Sequence, residues 1–164
     1  MVMMGGSMGC GPMDDLIEEV GKRLKNNQIL TVICGTNDTL RQKLEKKCRD
    51  NHNIRIEGFV KDMSVMLDSA DLYLTKPGGL STTEAVVKEV PMLLIDAVAG
   101  CEKYNLEWFP SSGVAVSGKE VDDLAEIAVD LLKDKARLEK MRNAYAAFPP
   151  ENAAQTIFDT MNNL

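Results

Sequence analysis

Residues that build common metal and redox sites are scarce in this sequence. It has one histidine, His52, within the polar stretch DNHN, and four cysteines that form no C-x-x-C pair: Cys10, Cys34, Cys48 and Cys101. This spacing argues against a zinc or iron–sulfur site and predicts free thiols in a reducing, cytoplasmic environment. No apolar run approaches the ~18 residues of a membrane-spanning helix.

Positive charge is also in short supply. Lysine and arginine number 19 against 25 aspartate and glutamate residues, which gives a net charge of −6. Nucleic acid is therefore not an expected partner. An anionic ligand would have to be held by local donors, because the field of the whole chain repels it. The sequence contains no Asp-x-Asp pair of carboxylates to hold a divalent metal, so we expect no metal cofactor.

The sequence does contain a regular alternation of short apolar runs and helix-period segments. QILTVIC (28–34), for example, is typical of a buried strand, and apolar residues at helical spacing follow it. The alternation predicts an α/β fold, a Rossmann-like, doubly wound, mostly parallel six-stranded sheet. The length predicts one domain over residues 1–164. In such a sheet, ligands bind beyond the carboxyl ends of the strands.

A glycine-rich loop, GGSMGCGP (5–12), follows the first predicted strand. Glycines let the backbone approach a phosphate closely, and the N-terminus of the next helix offers N–H donors. The spacing matches neither a Walker A loop nor G-x-G-x-x-G. A tight strand-to-helix turn without a ligand is the alternative.

A second loop of this kind, PGGLSTTEA (77–85), follows the fourth predicted strand. Gly78 and Gly79 again permit close approach of the backbone, and Ser81 places a hydroxyl at the start of a helix. Glu84 lies one turn further, where its carboxylate can accept from two vicinal hydroxyls such as those of a ribose. The alternative is an S-x-x-E capping box formed by Ser81 and Glu84.

Two further strand ends provide weaker signals. In EGFVKDM (57–63), the backbone around Phe59 and Val60 can hold a flat base, although the sequence alone favours Phe59 as a core residue and Lys61 and Asp62 as the entry to a helix. In AGCEKYN (99–105), Glu102 and Asn105 can bind sugar hydroxyls or serve as solvated loop residues.

Taken in order, the stretches GGSMG, EGFVKDM, LTKPGGLSTTEA and AGCEKYN resemble the C-terminal half of GT-B glycosyltransferases. The similarity is greatest to the monogalactosyldiacylglycerol synthase and processive diacylglycerol glucosyltransferase group, with the peptidoglycan N-acetylglucosaminyl transferase as a wider relative. It covers residues 1 to about 115. The resemblance implies a domain that binds a UDP-sugar, without metal, in an enzyme that transfers glucose or galactose to a diacylglycerol-type lipid.

The resemblance also implies a second, acceptor-binding N-terminal domain, either preceding this chain in a longer protein or carried by a separate subunit. That domain would supply the general base, so no catalytic residue is assigned within the chain, and the chain alone is expected to be inactive. It would also bring the whole protein to the inner face of the membrane, where the lipid acceptor lies.

Site residues follow from the same resemblance. The base would meet the backbone of Val60, with two side chains packed nearby: Phe59 and Met63. Glu84 would bind the ribose hydroxyls. The diphosphate would lie against the two glycine-rich loops: Gly6, Ser7, Gly78, Gly79, Leu80 and Ser81. The transferred sugar would face a third set: Gly100, Glu102 and Asn105.

The sequence departs from the family at one point, and two other readings stay open. Cys101 stands where the family usually has glutamine, which leaves the identity of the sugar open. The chain can instead be a stand-alone nucleotide-binding module or subunit without catalysis of its own. A third reading is an NAD-type domain with Asp38 as the ribose-binding acid.

Overall fold

The computed structural model describes residues 1–5, 13–95, 101–148 and 153–163. The strands within these ranges form one sheet: β1 (Val2–Met4), β2 (Leu30–Ile33), β3 (Ile54–Glu57), β4 (Tyr73–Thr75), β5 (Met92–Leu94) and β6 (Ala115–Ser117). Their order is β3-β2-β1-β4-β5-β6, and every neighbouring pair is parallel. The predicted six-stranded Rossmann-like sheet is confirmed.

Helices connect the strands. The helices in the described ranges are α1 (Met13–Arg23), α2 (Asp38–Lys47), α3 (Met63–Asp68), α4 (Gly79–Val87), α5 (Cys101–Ser111), α6 (Val121–Lys133), α7 (Lys135–Ala144) and α8 (Ala153–Asn162). A short 3-10 turn, Tyr145–Ala147, follows α7.

The core has two layers because successive side chains of a strand point to opposite faces of the sheet. Leu72 and Leu74 pack in the cluster that contains the apolar faces of α1, α2 and α6. Tyr73, which lies between them in β4, packs in the cluster beneath α3, α4 and α5. Helices therefore cover both faces, which makes the sheet doubly wound.

The strand order reverses at β1, which has β2 on one side and β4 on the other. Loops that leave neighbouring strands on the two sides of such a point diverge, and a crevice opens between them at the carboxyl ends. The fold thus predicts a ligand site between the loops that follow β2 and β3 and the start of α4.

The last helix, α8, lies outside both core layers. Its apolar side chains Ile157, Phe158 and Met161 are 60–69% exposed. Within the described ranges, no helix combines the length and the apolar character needed to cross a bilayer.

Candidate functional site

A cleft of about 420 Å³ opens at the carboxyl edge of the sheet, at the point where the strand order reverses. Its volume is in the range of small-molecule sites. It is lined by the ends of β1 and β2, the loops after β2 and β3, and the first turns of α3 and α4: Met4, Ile33, Gly35, Thr36, Phe59, Val60, Met63, Gly78, Gly79, Leu80, Ser81 and Glu84.

The N-terminus of α4 forms one wall of the cleft. Gly78 is the N-cap, with extended backbone (φ −75°, ψ 144°), and no side chain caps the helix. The N–H of Thr82 donates to the carbonyl of Gly78 at 3.0 Å. The N–H groups of Gly79, Leu80 and Ser81 precede this first intrahelical bond, so the helix itself leaves them available to an anion.

The capping-box alternative is therefore wrong. Ser81 is the third residue of α4 and not its N-cap. The chain leaves extended geometry at Gly78, which has no side chain with which to cap. The hydroxyl of Ser81 is thus not required by the start of the helix, and it borders the cleft.

Glu84 borders the same cleft because of helical spacing. Residues three and four positions apart share one face of a helix, so Leu80, Ser81 and Glu84 lie side by side. The side chain of Leu80 is 85% exposed, and Glu84 is exposed as well. This face of α4 combines N–H donors with a carboxylate acceptor one turn away, an arrangement that suits a ligand with both an anionic group and hydroxyls.

The opposite wall is the loop between β3 and α3. Phe59 is 69% exposed there, so the reading of this residue as part of the core is wrong. Val60 and Met63 are half-buried beside it and border the cleft. The wall offers an aromatic ring and loop backbone to a ligand in the cleft.

Four lining residues were not predicted as site residues: Met4, Ile33, Gly35 and Thr36. Gly35 has a φ of +58°, which is the left-handed turn by which the chain leaves β2. The signal was available, since Gly35 follows a buried strand directly and the carboxyl-end rule applies to every parallel strand. The loop after β2 lacks a phosphate-type motif, so its sequence gives no further sign of a ligand.

Glu102 and Asn105, the predicted sugar contacts on α5, lie behind the start of α4 and not among the lining residues. The Asn105 amide Nδ2 donates to the carbonyl of Pro77 at 2.8 Å. A Cβ at Gly78 would lie 3.6 Å from Glu102 Oε1. Both residues thus contact the turn that leads into α4, and their role toward a sugar stays a prediction.

Three predicted site residues, Gly6, Ser7 and Gly100, lie outside the described residues. The structure therefore places the predicted contacts for base, ribose and part of the diphosphate around one cleft.

Asp38, the acid of the NAD-type alternative, does not border the cleft. It is the first residue of α2, is exposed, and its Oδ1 accepts from Arg41 Nε at 3.3 Å. Its placement provides no support for a ribose-binding acid after β2.

The thiols of Cys34 and Cys48 are unsuited to nucleophilic chemistry. Cys34 and Cys48 are both free. Burial raises the pKa of Cys34 to about 11 and also raises the pKa of Cys48. Since the thiolate is the nucleophile, these side chains are inert at neutral pH.

The family described as glycosyl transferases group 1 matches residues 13–147. This chain belongs to that family. The match runs from α1 through the turn after α7 and includes most of the residues that line the cleft. It confirms the resemblance to the C-terminal half of GT-B glycosyltransferases that the motifs indicated.

Related proteins extend this assignment. A processive diacylglycerol beta-glucosyltransferase of Staphylococcus carnosus (strain TM300) is 27% identical over 168 residues, which cover 99% of this chain and 43% of that protein. The structure of Acinetobacter baumannii MurG matches with a TM-score of 0.82 at 20% identity, over 99% of this chain and 49% of MurG. Staphylococcus aureus MnaA, solved with UDP, matches with a TM-score of 0.70 at 17% identity, over 87% and 40%.

The two structural matches show a shared fold. In all three comparisons the chain spans less than half the length of the other protein.

Proposed function

We propose that this chain is the donor-binding part of a glycosyltransferase that moves a hexose from UDP-glucose or UDP-galactose to a diacylglycerol-type lipid. The observation that carries the proposal is the start of α4. It presents free N–H groups and a carboxylate to one cleft, at the point of the sheet where nucleotides bind in doubly wound folds.

The diphosphate is the part of the ligand that the N-terminus of α4 suits best. The N–H groups of Gly79, Leu80 and Ser81, with the positive end of the helix dipole, favour an anion even though the chain carries a net charge of −6. The Ser81 hydroxyl adds a further donor. These local donors offset the repulsion that the whole chain exerts.

The nucleoside is suited by the rest of the cleft. Glu84 can accept from the two ribose hydroxyls, since a carboxylate has two oxygens for two neighbouring donors. The base would lie against the loop after β3, where the backbone of Val60 can hydrogen-bond to its edge and Phe59 and Met63 can cover its face. The UDP bound to MnaA, which shares the fold, is consistent with this choice of nucleotide.

The proposed reaction needs little chemistry from this chain. An acceptor hydroxyl attacks the anomeric carbon of the sugar, the bond to UDP breaks, and negative charge collects on the departing diphosphate. The N–H groups of α4 would stabilise this charge without a metal. An acceptor-binding domain outside this chain would supply the general base, bind the lipid acceptor and contact the inner face of the membrane.

Hexose and lipid are proposed from the relatives. The relatives named processive diacylglycerol beta-glucosyltransferases suggest glucose as the sugar and diacylglycerol as the acceptor. Galactose is included because the sequence also resembles the monogalactosyldiacylglycerol synthases. A stand-alone binding module is the second candidate, since the general base has no proposed position in the chain.

The test is a chemical-shift titration of the 164-residue chain with UDP, UDP-glucose, UDP-galactose and NAD. We expect UDP to bind with a Kd of about 0.1–1 mM, because the cleft of this chain alone supplies only a few hydrogen bonds. NAD is expected to bind at least tenfold more weakly. Equal or tighter binding of NAD would contradict the proposal.

Magnesium and activity provide two further measurements. UDP affinity should be the same with excess EDTA and with magnesium, and a tenfold gain with magnesium would mean that a ligand set has been missed. The chain alone should transfer no sugar. Transfer to diacylglycerol by this chain alone would place the base within it, and transfer after adding an acceptor-binding domain would exclude the stand-alone module.

A further inference from the structure

Two tyrosines are buried in the core layer beneath α3, α4 and α5, and their hydroxyls differ. The Tyr145 hydroxyl donates to the carbonyl of Val90 at 2.6 Å. The Tyr73 hydroxyl has no hydrogen-bond partner among the described residues, and neither does the buried Thr75 hydroxyl. The side chains of Tyr73 and Thr75 are both 0% exposed. Buried hydroxyls without partners are costly and rare, so this pair calls for an explanation.

The hydroxyl pair, Tyr73 and Thr75, belongs to β4, the strand that leads into the start of α4, where we propose that the diphosphate binds. The two residues are two positions apart on β4, so their side chains point to the same face of the sheet. That face is covered by α4, whose third residue is Ser81. Burial raises the pKa of Tyr73, and hydrogen bonding from the Thr75 and Ser81 side chains acts to lower it, so both hydroxyls lie within reach of the Tyr73 hydroxyl, although no contact has the distance and angle of a hydrogen bond. Ser81 in turn borders the cleft.

The direction of proton donation follows from the chemistry of the groups. An anion only accepts hydrogen bonds, so Ser81 must point its one proton into the cleft to bind a diphosphate. The Ser81 oxygen is then left to accept. Burial raises the pKa of Tyr73, so its hydroxyl keeps its proton at neutral pH and can donate. The Tyr73 oxygen can accept from Thr75 in the same way.

We propose that Tyr73 and Thr75 are positioning residues that orient the Ser81 hydroxyl toward the diphosphate, through a relay in which Thr75 donates to Tyr73 and Tyr73 donates to Ser81. The inference rests on the proposed function, because it needs an anion at the start of α4. Each hydrogen bond in such a chain strengthens the next, so the relay makes Ser81 a better donor than an isolated serine. The two buried hydroxyls gain their partners when the anion binds.

The test is a titration of UDP and inorganic pyrophosphate into the 164-residue chain and four variants: Tyr73→Phe, Thr75→Val, Ser81→Ala and the double variant of Tyr73→Phe with Ser81→Ala. Tyr73→Phe should weaken both ligands about three- to tenfold, which is the effect of one hydrogen bond. Thr75→Val, which keeps the side-chain shape, should weaken both about twofold. The decisive measurement is the double variant, in which Tyr73→Phe should have no further effect once Ser81 is alanine.

Tyr145→Phe is the matched control, since it removes a hydroxyl from the same core layer. It should lower the thermal midpoint, because the Val90 carbonyl loses its donor, and leave both affinities unchanged. Tyr73→Phe should leave the midpoint unchanged or raise it, because it removes a hydroxyl that has no partner. A purely structural role for Tyr73 predicts the reverse.

The outcomes separate this inference from the proposed function. If the wild-type chain binds UDP and the Tyr73→Phe variant binds it with the same affinity, the relay is overturned and the donor-binding role stands. The same would follow if Tyr73→Phe weakened binding equally with serine and with alanine at position 81. Failure of the wild-type chain to bind either ligand would overturn both proposals.

Discussion

The two edges of the sheet use polar groups in opposite ways. At the amino edge, side-chain amides are bonded to backbone carbonyls: Asn53 Nδ2 donates to Lys25 and Gln28, both at 2.7 Å, and Asn51 Nδ2 donates to Gly21 at 3.2 Å. At the carboxyl edge, the first N–H groups of α4 have no partner within the helix, and no side chain caps them.

The difference shows what distinguishes a binding site from a surface depression. A pocket at the amino edge, lined by residues such as His52 and Asn53, has about 690 Å³, more than the 420 Å³ of the cleft. Its amides already serve the fold. The cleft is smaller, yet it keeps hydrogen-bonding capacity for a ligand. Unused donors, and not volume, mark the candidate site.

The largest effect is expected for Glu84→Ala at the carboxyl edge. Loss of hydrogen bonds from the ribose to a charged group should weaken UDP by about 1.5–3 kcal/mol, roughly 10- to 150-fold. Pyrophosphate, which has no ribose, should bind as before. Titration of both ligands measures the contrast. Equal UDP affinity in wild type and Glu84→Ala would end the ribose assignment and weaken the transferase proposal.

The second-largest effect is a loss of stability expected for Asn53→Ala at the amino edge. Asn53→Ala removes two hydrogen bonds to backbone carbonyls and should lower the free energy of unfolding by about 2 kcal/mol. UDP affinity should not change. His52→Ala, at an exposed position in the same pocket, is the control and should be neutral in both respects. A tenfold loss of UDP affinity in Asn53→Ala would break the contrast between the edges.

Much of the fold could be predicted from the sequence because the strands are apolar and the helices periodic. The apolar residues Val2, Met3 and Met4 predict a short first strand, and the stretch NIRIEGF predicts a strand over Ile54–Glu57. The observed β1 and β3 have these bounds. The polar stretch DNHN likewise predicts a surface position for His52, and this residue is exposed. Glycine-rich segments after strands pointed to α4, since glycine there has few structural alternatives.

Details of the site could not be predicted because they depend on where backbone geometry changes. The S-x-x-E pattern at Ser81 is compatible with a cap, but the N-cap of α4 is Gly78, three residues before Ser81. Phe59 is exposed in the loop after β3, and its apolar character alone gave no sign of that exposure. The missing partners of Tyr73 and Thr75 are visible only once β4 and α4 are packed together.

The third effect tests whether a ligand occupies the space beside Gly79. A Cβ at this position would meet nothing within 4 Å. Gly79→Leu should therefore leave stability unchanged or slightly increased, since glycine is a poor helix former. It should weaken UDP binding about tenfold by filling the cleft. The UDP affinity of Gly79→Ala should lie between those of the wild type and Gly79→Leu. Calorimetry and thermal unfolding measure both quantities. Unchanged UDP affinity in Gly79→Leu would place the diphosphate elsewhere.

The smallest effects separate two neighbouring hydroxyls at the carboxyl edge. Thr82 is buried, and its Oγ1 lies 2.9 Å from the Gly78 carbonyl, to which it donates. Thr82→Val keeps the shape and should lower the free energy of unfolding by about 1 kcal/mol, with little change in pyrophosphate affinity. Ser81→Ala should change stability by less than about 0.5 kcal/mol, because no cap is lost. It should nevertheless weaken pyrophosphate.

Urea unfolding and pyrophosphate titration of the two variants measure these effects. Thr82→Val should change mainly the free energy of unfolding, whereas Ser81→Ala should change mainly the affinity for pyrophosphate. A stability loss of about 1 kcal/mol in Ser81→Ala would restore the capping role and remove this hydroxyl from the donors left over for a ligand. Weaker pyrophosphate binding in Thr82→Val would instead show that the buried hydroxyl shapes the N-terminus of α4, so that fold and site share their hydrogen bonds at this edge as well.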